Sequence, residues 1–221
     1  MKTITFYLDF ISPYAHLAFE QMPKALQGCS YEVRYQPILF GALLQHHGQL
    51  GPAEFAPKRD WTYRQVLWLA KQLNVRLEMP RSHPFNPMTL LRLSLAAATL
   101  DGLPNRRVCE LIFHHVWHGA QEANDPERLS GLMQQLAAQG TDVGADLQPE
   151  AASIKQRLRQ DTEQAIAQGV FGVPTFAVDD KLFWGLDALP MLRDYLLGDA
   201  WFEGSDWASV RNISVGIERK R

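Results

Sequence analysis

The chain begins with an apolar run that has the composition of a buried strand. Residues 3–8, Thr-Ile-Thr-Phe-Tyr-Leu, are rich in β-branched and aromatic side chains, which favour strands. From Pro13 to Leu26 the apolar positions recur at helical spacing, and Gly28 ends that pattern. Residues 31–36 then alternate as a half-buried strand does. This order predicts a right-handed strand–helix–strand unit with parallel strands.

The pattern is helical between residues 40 and 168 and returns to strands afterwards. Segments rich in glycine and proline separate the helix-like stretches, which cover residues 61–73, 88–100, 107–119, 126–139 and 150–168. Residues 173–178 predict a strand, Asp179-Asp180 a turn, and residues 181–184 the second strand of a hairpin. A last helix is predicted to begin at Asp187 as its cap and to run to Leu197.

Together these elements predict an α/β protein with a thioredoxin-like fold and a large all-helical insertion. Four strands form the sheet, two before the insertion and two after it. Residues 1–39 and 169–200 make the thioredoxin-like domain, residues 40–168 the insertion and residues 201–221 a C-terminal tail.

Charge and cysteine content indicate which binding partners and which cellular compartment to expect. The 221 residues carry a formal net charge of −2 with acids and bases interspersed, so neither nucleic acid nor an anionic membrane surface is an expected partner. No signal peptide or membrane span is recognisable. Cys29 and Cys109 have no metal or redox spacing. We expect buried free thiols in a reducing compartment, and therefore a cytoplasmic protein.

The junction between the first strand and the first helix is the most informative site. A thioredoxin-type redox protein carries Cys-x-x-Cys there, but this chain has Ser12 and Ala15 at the two cysteine positions. These residues cannot form a disulfide, which argues against a dithiol oxidoreductase. A helix N-terminus stabilises an anion, and the thiolate is therefore expected on a ligand, with glutathione as the candidate. The plainer interpretation of Ser12 is an ordinary helix cap.

Two further elements fit a peptide ligand. Val173-Pro174 at the start of a strand predicts a cis peptide bond, with the Val173 backbone free to pair with an extended peptide such as glutathione. The alternative is a trans proline on an edge strand. Asp187 is either only a helix cap or also the acceptor of the γ-glutamyl ammonium group of glutathione.

Other polar residues allow two interpretations each. Lys58 follows a segment rich in glycine and proline and can pair with the glycine carboxylate of glutathione; Arg59 can do the same, and either can simply be solvated. Asn86, in the loop His83-Pro-Phe-Asn-Pro87, either binds a carboxylate or carbonyl of the substrate or only stabilises the turn.

Histidine and tryptophan positions add no separate function. His114 and His118 have the i, i+4 spacing of a zinc site, but no third ligand is apparent and no metal is expected. Trp61, Trp68 and Trp117 are predicted to lie in the core rather than to form a stacking platform.

Four short motifs follow one another along the chain: Asp9-Phe-Ile-Ser-Pro-Tyr14, Phe85-Asn-Pro87, Gly169-Val-Phe-Gly-Val-Pro-Thr-Phe176 and Phe183-Trp-Gly-Leu-Asp187. Together they resemble the 2-hydroxychromene-2-carboxylate isomerase family, which is related to kappa-class glutathione transferases and to DsbA-like oxidoreductases. They occur in the family's order between residues 3 and 197. The resemblance implies that Ser12 hydrogen-bonds the glutathione sulfur. The remaining implied roles are glutathione binding for Lys58, Val173, Pro174, Leu186 and Asp187, and contact with the aromatic substrate for Tyr14 and Asn86.

The same resemblance implies a reaction. Glutathione, as a cofactor that is not consumed, adds reversibly to 2-hydroxychromene-2-carboxylate and leaves to give trans-o-hydroxybenzylidenepyruvate, a step in aromatic hydrocarbon catabolism. By analogy the protein is a homodimer. Gln49, Trp61 and Leu186 depart from residues common in the family, all on the substrate side. The alternatives are a kappa-like glutathione transferase or peroxidase and a non-catalytic thioredoxin-fold binding protein.

Overall fold

One mixed sheet of four strands forms the centre of the computed structural model, which describes residues 1–98, 102–138 and 147–217. The strands lie in the order β2-β1-β3-β4, with β1 parallel to β2 and the other pairs antiparallel. Their bounds are β1 (Lys2–Leu8), β2 (Tyr31–Pro37), β3 (Thr175–Val178) and β4 (Lys181–Trp184). The predicted strand–helix–strand unit and the later hairpin are both confirmed.

Helices connect and cover this sheet. Helix α1 (Pro13–Ala25) joins β1 to β2. In the described parts of residues 40–168 all regular elements are helical, as predicted: α2 (Phe40–His46), α3 (Ala56–Leu73), α4 (Met88–Ala96), α5 (Arg106–Trp117), α6 (Pro126–Ala137) and α7 (Ala152–Ala167). The predicted ends of the fourth and sixth helices, residues 99–100 and 139, lie outside the described residues. Helix α3 begins five residues earlier than predicted, because Pro57 suits a first helical turn.

The segment after β4 differs from the prediction. A 3₁₀ turn (Leu186–Ala188) precedes α8 (Leu189–Leu196), and Asp187 lies inside that turn. No side chain caps either element, so the prediction that Asp187 caps the last helix is wrong. The reason is local: Gly185, at φ 102°, bends the chain, and the Ala188 N–H closes the turn onto its carbonyl.

Residues beyond α8 pack back on the hairpin. A 3₁₀ turn (Ala200–Glu203) buries Phe202 against Phe183, and the Glu203 carboxylate lies 3.4 Å from the Lys181 ammonium group. A short helix α9 (Ser205–Ser209) and a 3₁₀ turn (Val210–Asn212) follow.

Burial confirms one of the three tryptophan predictions. Trp117 is fully buried, but Trp61 and Trp68 are 62% and 58% exposed. The buried face of α3 is instead formed by small or branched residues, Thr62, Val66 and Ala70. Its two tryptophans lie on the opposite side of that helix, which is exposed and otherwise carries polar residues such as Arg64 and Lys71.

Both cysteines are unpaired. Cys109 is buried, as predicted. Cys29, which lies in the turn between α1 and β2, is only half-buried, so its predicted burial is wrong. A position in a short surface turn leaves one side of the thiol open to solvent.

Candidate active site

The end of β1 and the start of β3 meet at one edge of the sheet. Because these strands are antiparallel, Tyr7 is opposite Thr175, and the chain continues from them to Ser12 on one side and Val173 on the other. The Val173–Pro174 bond is cis, as predicted. The Ser12 hydroxyl makes a long hydrogen bond, 3.4 Å, to the Val173 carbonyl oxygen. Two segments 161 residues apart thus form one site.

Ser12 is the N-cap of α1. Its backbone is extended (φ −88°, ψ 115°), and its hydroxyl oxygen accepts a hydrogen bond from the Ala15 N–H at 3.2 Å. Pro13 occupies the first helical position, and no acid lies in the first turn. A hydroxyl that accepts from an N–H keeps its own proton for donation. The helix cap and a hydrogen bond to a ligand sulfur are therefore compatible roles for this side chain.

Asp9 holds the turn between β1 and Ser12 through hydrogen bonds, a role that the sequence did not predict. It is fully buried, and its carboxylate accepts hydrogen bonds from the Ile11 N–H at 3.1 Å and the Phe40 N–H, in the first turn of α2, at 2.9 Å. The Asp9 carbonyl accepts from the Ser12 N–H at 3.0 Å. Burial raises the pKa of Asp9 to about 7. The sequence did contain a sign of this role, because Asp9 is an acid placed directly after an apolar strand.

Two side chains of the insertion hold the neighbouring carbonyl groups. Trp117 Nε1–H donates to the Phe10 carbonyl at 3.0 Å, and His83 Nε2 lies 2.8 Å from the Ile11 carbonyl. His83 also contacts Tyr63 of α3, and its bond to Pro84 is cis, which the sequence did not predict. Hydrogen bonds from the insertion (Trp117 and His83) and from the end of β1 (Asp9) thus hold the backbone that leads to Ser12.

The cis-proline strand leaves one donor unused. Val173 is 8% exposed, and Pro174 is buried with its carbonyl accepting from the Gly185 N–H at 2.9 Å. No described residue accepts a hydrogen bond from the Val173 N–H. A free N–H at the end of a strand, beside a helix N-terminus, is what pairing with an extended peptide requires.

Asp187 and Tyr14 lie together at the far side of this edge. Asp187 is exposed and makes no hydrogen bond or ion pair with another described residue, while Leu186 is half-buried. The 3₁₀ turn that carries both packs on α1. The Tyr14 hydroxyl donates to Gln65 Oε1 of α3 at 2.7 Å. Burial raises the pKa of Tyr14, and the nearby Asp187 charge adds to the effect.

The two cations of the first turn of α3 have different surroundings. Lys58 is exposed and makes no ion pair or hydrogen bond with any described residue. Arg59 is half-buried, with its Nε 4.0 Å from the Asp60 carboxylate. Of the two, Lys58 has the ammonium group that is free to meet an incoming carboxylate.

Asn86 performs turn chemistry in this structure. Its Oδ1 accepts from the Met88 N–H at 3.0 Å, and its backbone carbonyl accepts from Asn124 Nδ2 at 3.0 Å. The side chain is exposed, and its own amide N–H groups meet no acceptor among the described residues. Only those N–H groups remain to contact a substrate.

The histidines of α5 do not form a metal centre with the described residues. His114 and His118 stack with ring centroids 4.1 Å apart, and His114 bonds to Glu20 at 2.9 Å. Among the described residues, no three histidine, cysteine or acidic side chains are placed to hold a metal ion. Nor does any helix within that part of the chain have the length and apolar character to cross a bilayer.

Two cavities lie away from this edge. One, of about 550 Å³, lies between the end of α1, β2 and the start of α5, and its walls include Tyr31, Tyr35 and Arg106. The other, of about 190 Å³, lies between α2, α4 and α7. Neither is lined by Ser12 or Val173. These two cavities are therefore separate from the candidate site.

Sequence comparisons identify the family of this chain. A family model described as a DSBA-like thioredoxin domain matches residues 3–197. The 2-hydroxychromene-2-carboxylate isomerase of Pseudomonas putida is 30% identical over 196 residues, covering 86% of this chain and 92% of that protein. The enzyme of that name from Sphingobium xenophagum is 29% identical over 204 residues, with 89% and 98% covered. Glutathione S-transferase kappa 2 of Caenorhabditis elegans is 21% identical over 207 residues, with 88% and 92% covered.

Solved structures share the fold. A selenomethionine 2-hydroxychromene-2-carboxylate isomerase superposes with a TM-score of 0.74 at 22% identity, covering 93% of this chain and 98% of that one. The cytosolic disulfide reductase DsbM of Pseudomonas aeruginosa, solved with GSH, gives a TM-score of 0.54 at 17% identity, with 95% and 99% covered. At these identities the similarity establishes the DsbA-like thioredoxin fold.

Proposed function

Because this chain belongs to the 2-hydroxychromene-2-carboxylate isomerase family, within the DSBA-like thioredoxin proteins, we propose that it is a glutathione-dependent isomerase. Its substrate pair is 2-hydroxychromene-2-carboxylate and trans-o-hydroxybenzylidenepyruvate. The relatives named 2-hydroxychromene-2-carboxylate isomerase support the isomerase activity. Kappa-class relatives and a structural neighbour solved with GSH support glutathione. The observation that carries the proposal is a helix N-terminus with Ser12 in place of a thiol, beside the unused Val173 N–H.

Glutathione binds as an added strand. Its cysteinyl backbone pairs with Val173, next to buried Pro174, and its sulfur lies at the N-terminus of α1. The Ser12 hydroxyl gives up its long bond to the Val173 carbonyl and donates to the sulfur, while it still accepts from the Ala15 N–H. The helix dipole and this donor favour the thiolate over the thiol.

The ends of glutathione meet groups that lack partners among the described residues. Asp187 accepts the γ-glutamyl ammonium group, and the Leu186 backbone N–H donates to the adjacent carboxylate. Lys58 pairs with the glycine carboxylate. Tyr14 and the Asn86 amide N–H groups face the aromatic substrate.

The bound thiolate then acts as a nucleophile. It adds to the conjugated double bond of the chromene, which forms a carbon–sulfur bond. The ring carbon–oxygen bond breaks, and the hemiketal proton ends on the phenol oxygen. The carbon–carbon bond, now single, rotates, and expulsion of the thiolate restores the double bond in the trans geometry. Covalent addition replaces one difficult step by several easier ones, and glutathione is returned unchanged.

The deciding experiment measures the fate of glutathione. With 2-hydroxychromene-2-carboxylate, we expect turnover only when glutathione is present, in catalytic amounts and recovered whole at the end. Glutathione that disappears in proportion to product would establish a kappa-like transferase instead, the alternative that the kappa-class relatives favour. Failure of both that substrate and a halogenated electrophile would leave a binding protein without catalysis.

The two cations at the start of α3 give a matched pair of variants. Replacement of Lys58 by alanine should weaken glutathione binding by about 1 kcal/mol, roughly fivefold in Kd, since exposed ion pairs contribute up to that much. Arg59→Ala should change the Kd less, because Asp60 lies beside its guanidinium group. Calorimetry measures both. A larger effect at Arg59 would assign the glycine carboxylate to that residue.

The location and assembly follow from the sequence and from analogy alone. We propose a cytoplasmic protein that forms a homodimer and serves aromatic hydrocarbon catabolism.

A further inference from the structure

His83 lies between the turn that leads to Ser12 and helix α3, and it makes three short contacts there. Its Nε2 is 2.8 Å from the Ile11 carbonyl oxygen, and its Nδ1 is 2.8 Å from the Tyr63 hydroxyl oxygen. The same hydroxyl oxygen is 2.7 Å from the His83 carbonyl oxygen. All three distances are those of hydrogen bonds.

A separate proton for each contact requires three protons, and the neutral pair of side chains has two. The Ile11 and His83 carbonyl oxygens can only accept, and the Tyr63 hydroxyl has one proton to donate. A neutral imidazole supplies one N–H, which serves Ile11, so Nδ1 and the His83 carbonyl compete for the single Tyr63 proton or share it. An imidazolium supplies a third proton at Nδ1. Only the charged ring therefore gives each of the three contacts its own proton.

The surroundings of the ring do not supply that charge in the free protein. Trp117 and Phe85 pack against the ring and are uncharged. The acids of the adjoining segments bind other atoms: Asp9 accepts from the Ile11 N–H, and Glu122 accepts from the Ser82 hydroxyl.

The charges of α3 affect Tyr63 rather than the imidazole ring: Arg59 lowers the pKa of Tyr63, and Asp60 raises it. With no described carboxylate in contact with the imidazole, burial lowers the pKa of His83. The free protein therefore holds His83 neutral at pH 7.

We propose that His83 is a positioning residue that becomes protonated when glutathione binds as a thiolate. The inference rests on the proposed function, which places that anion at Ser12, one residue from the carbonyl that His83 holds. The S–H bond of the thiol breaks and an N–H bond forms at His83 Nδ1, with solvent carrying the proton between them. No electrons are transferred, and the thiolate and the imidazolium together carry no net charge. An opposite charge of this kind favours the charged form of both groups.

The test counts protons. Calorimetry of glutathione binding at pH 7, in buffers of different ionisation enthalpy, measures the protons released per binding event. A free thiol with a pKa of about 8.5 is protonated at this pH. Wild-type protein should release close to none, because His83 takes the proton. His83→Gln keeps a donor for Ile11 but cannot be protonated, and it should release about one proton more than the wild type, a difference from which any titration of Asp9 common to both proteins cancels.

A second variant and a second measurement test independently whether His83 takes up the proton. Tyr63→Phe removes the acceptor for Nδ1–H and should give an intermediate number of protons. In the wild type, the titration midpoint of the His83 ring proton in NMR should rise when glutathione is added.

The outcomes separate this inference from the function that it rests on. Equal release by wild type and His83→Gln, or an unmoved midpoint with glutathione bound, would overturn this inference alone. Absence of any binding heat would overturn the proposed function and this inference with it.

Discussion

Replacement of Ser12 by alanine should slow turnover about 100-fold, the loss expected when one donor to a developing or bound anion is removed. The hydroxyl is the side-chain group within hydrogen-bond reach of both the first turn of α1 and Val173. Without it, the thiol pKa of bound glutathione should rise toward the value of about 8.5 for a free cysteine thiol. Steady-state kinetics and a titration of thiolate absorbance in the complex measure the two effects.

The same substitution also removes a helix cap, which costs about 1 kcal/mol of stability. Asn105→Ala provides the matched control. Asn105 caps α5 by accepting from the Val108 N–H at 2.9 Å, and it is not a residue of the candidate site. That variant should lose similar stability and keep full activity. Similar activity in the two variants, with an unchanged thiol pKa, would show that Ser12 is a helix cap and nothing more.

Replacement of Asp9 by asparagine should remove a pH dependence of stability that the wild type shows. The folded protein holds the Asp9 pKa at about 7, against an ordinary value of 3.8. Below pH 3.8 the carboxyl is protonated in both states. Between pH 3.8 and about 7 it ionises in the unfolded chain first, so the free energy of unfolding falls as pH rises. The fall is about 1.4 kcal/mol for each pH unit between the two pKa values, about 4 kcal/mol in all, and it levels off above the folded-state pKa.

Urea unfolding of wild type and Asp9→Asn between about pH 3 and pH 8, a range that spans both pKa values, tests this. The asparagine variant should be less stable at the acidic end. The Ile11 and Phe40 N–H groups donate to different oxygens of Asp9, and the amide nitrogen that replaces one of these oxygens cannot accept a hydrogen bond. Its disadvantage should disappear as pH rises, since it carries no buried charge. Stability curves that stay parallel across this range would mean that Asp9 is already ionised in the folded protein at the acidic end.

The fold was predictable where local pattern and topology agree. Strands β1 to β4 and the helix after β1 follow from apolar runs bounded by glycine, proline and a two-residue turn. The prediction was wrong for Trp61 and Trp68, because an apolar side chain alone does not determine which side of a helix the tertiary structure covers. It was also wrong for Asp187 as a cap, since the chain closes a 3₁₀ turn there first.

The candidate site divides in the same way. Ser12 and the cis bond before Pro174 were predictable, because each belongs to a short motif with its own backbone requirement. The supports of that site were not. Trp117 is 107 residues from Phe10, and His83 is 72 residues from Ile11. No sequence pattern indicates which distant donor will meet a given carbonyl group.

The bonds from Trp117 and His83 also determine whether the insertion can be removed. A shortened chain that joins residue 39 to residue 169 would retain every strand of the sheet. It would also leave the Phe10 and Ile11 carbonyl groups without their donors. Each unmade hydrogen bond in a buried loop costs about 1–3 kcal/mol, and a whole domain is stable by only about 5–15 kcal/mol. The strands alone are therefore not the whole support of this turn, because two of its carbonyl groups depend on donors from the insertion.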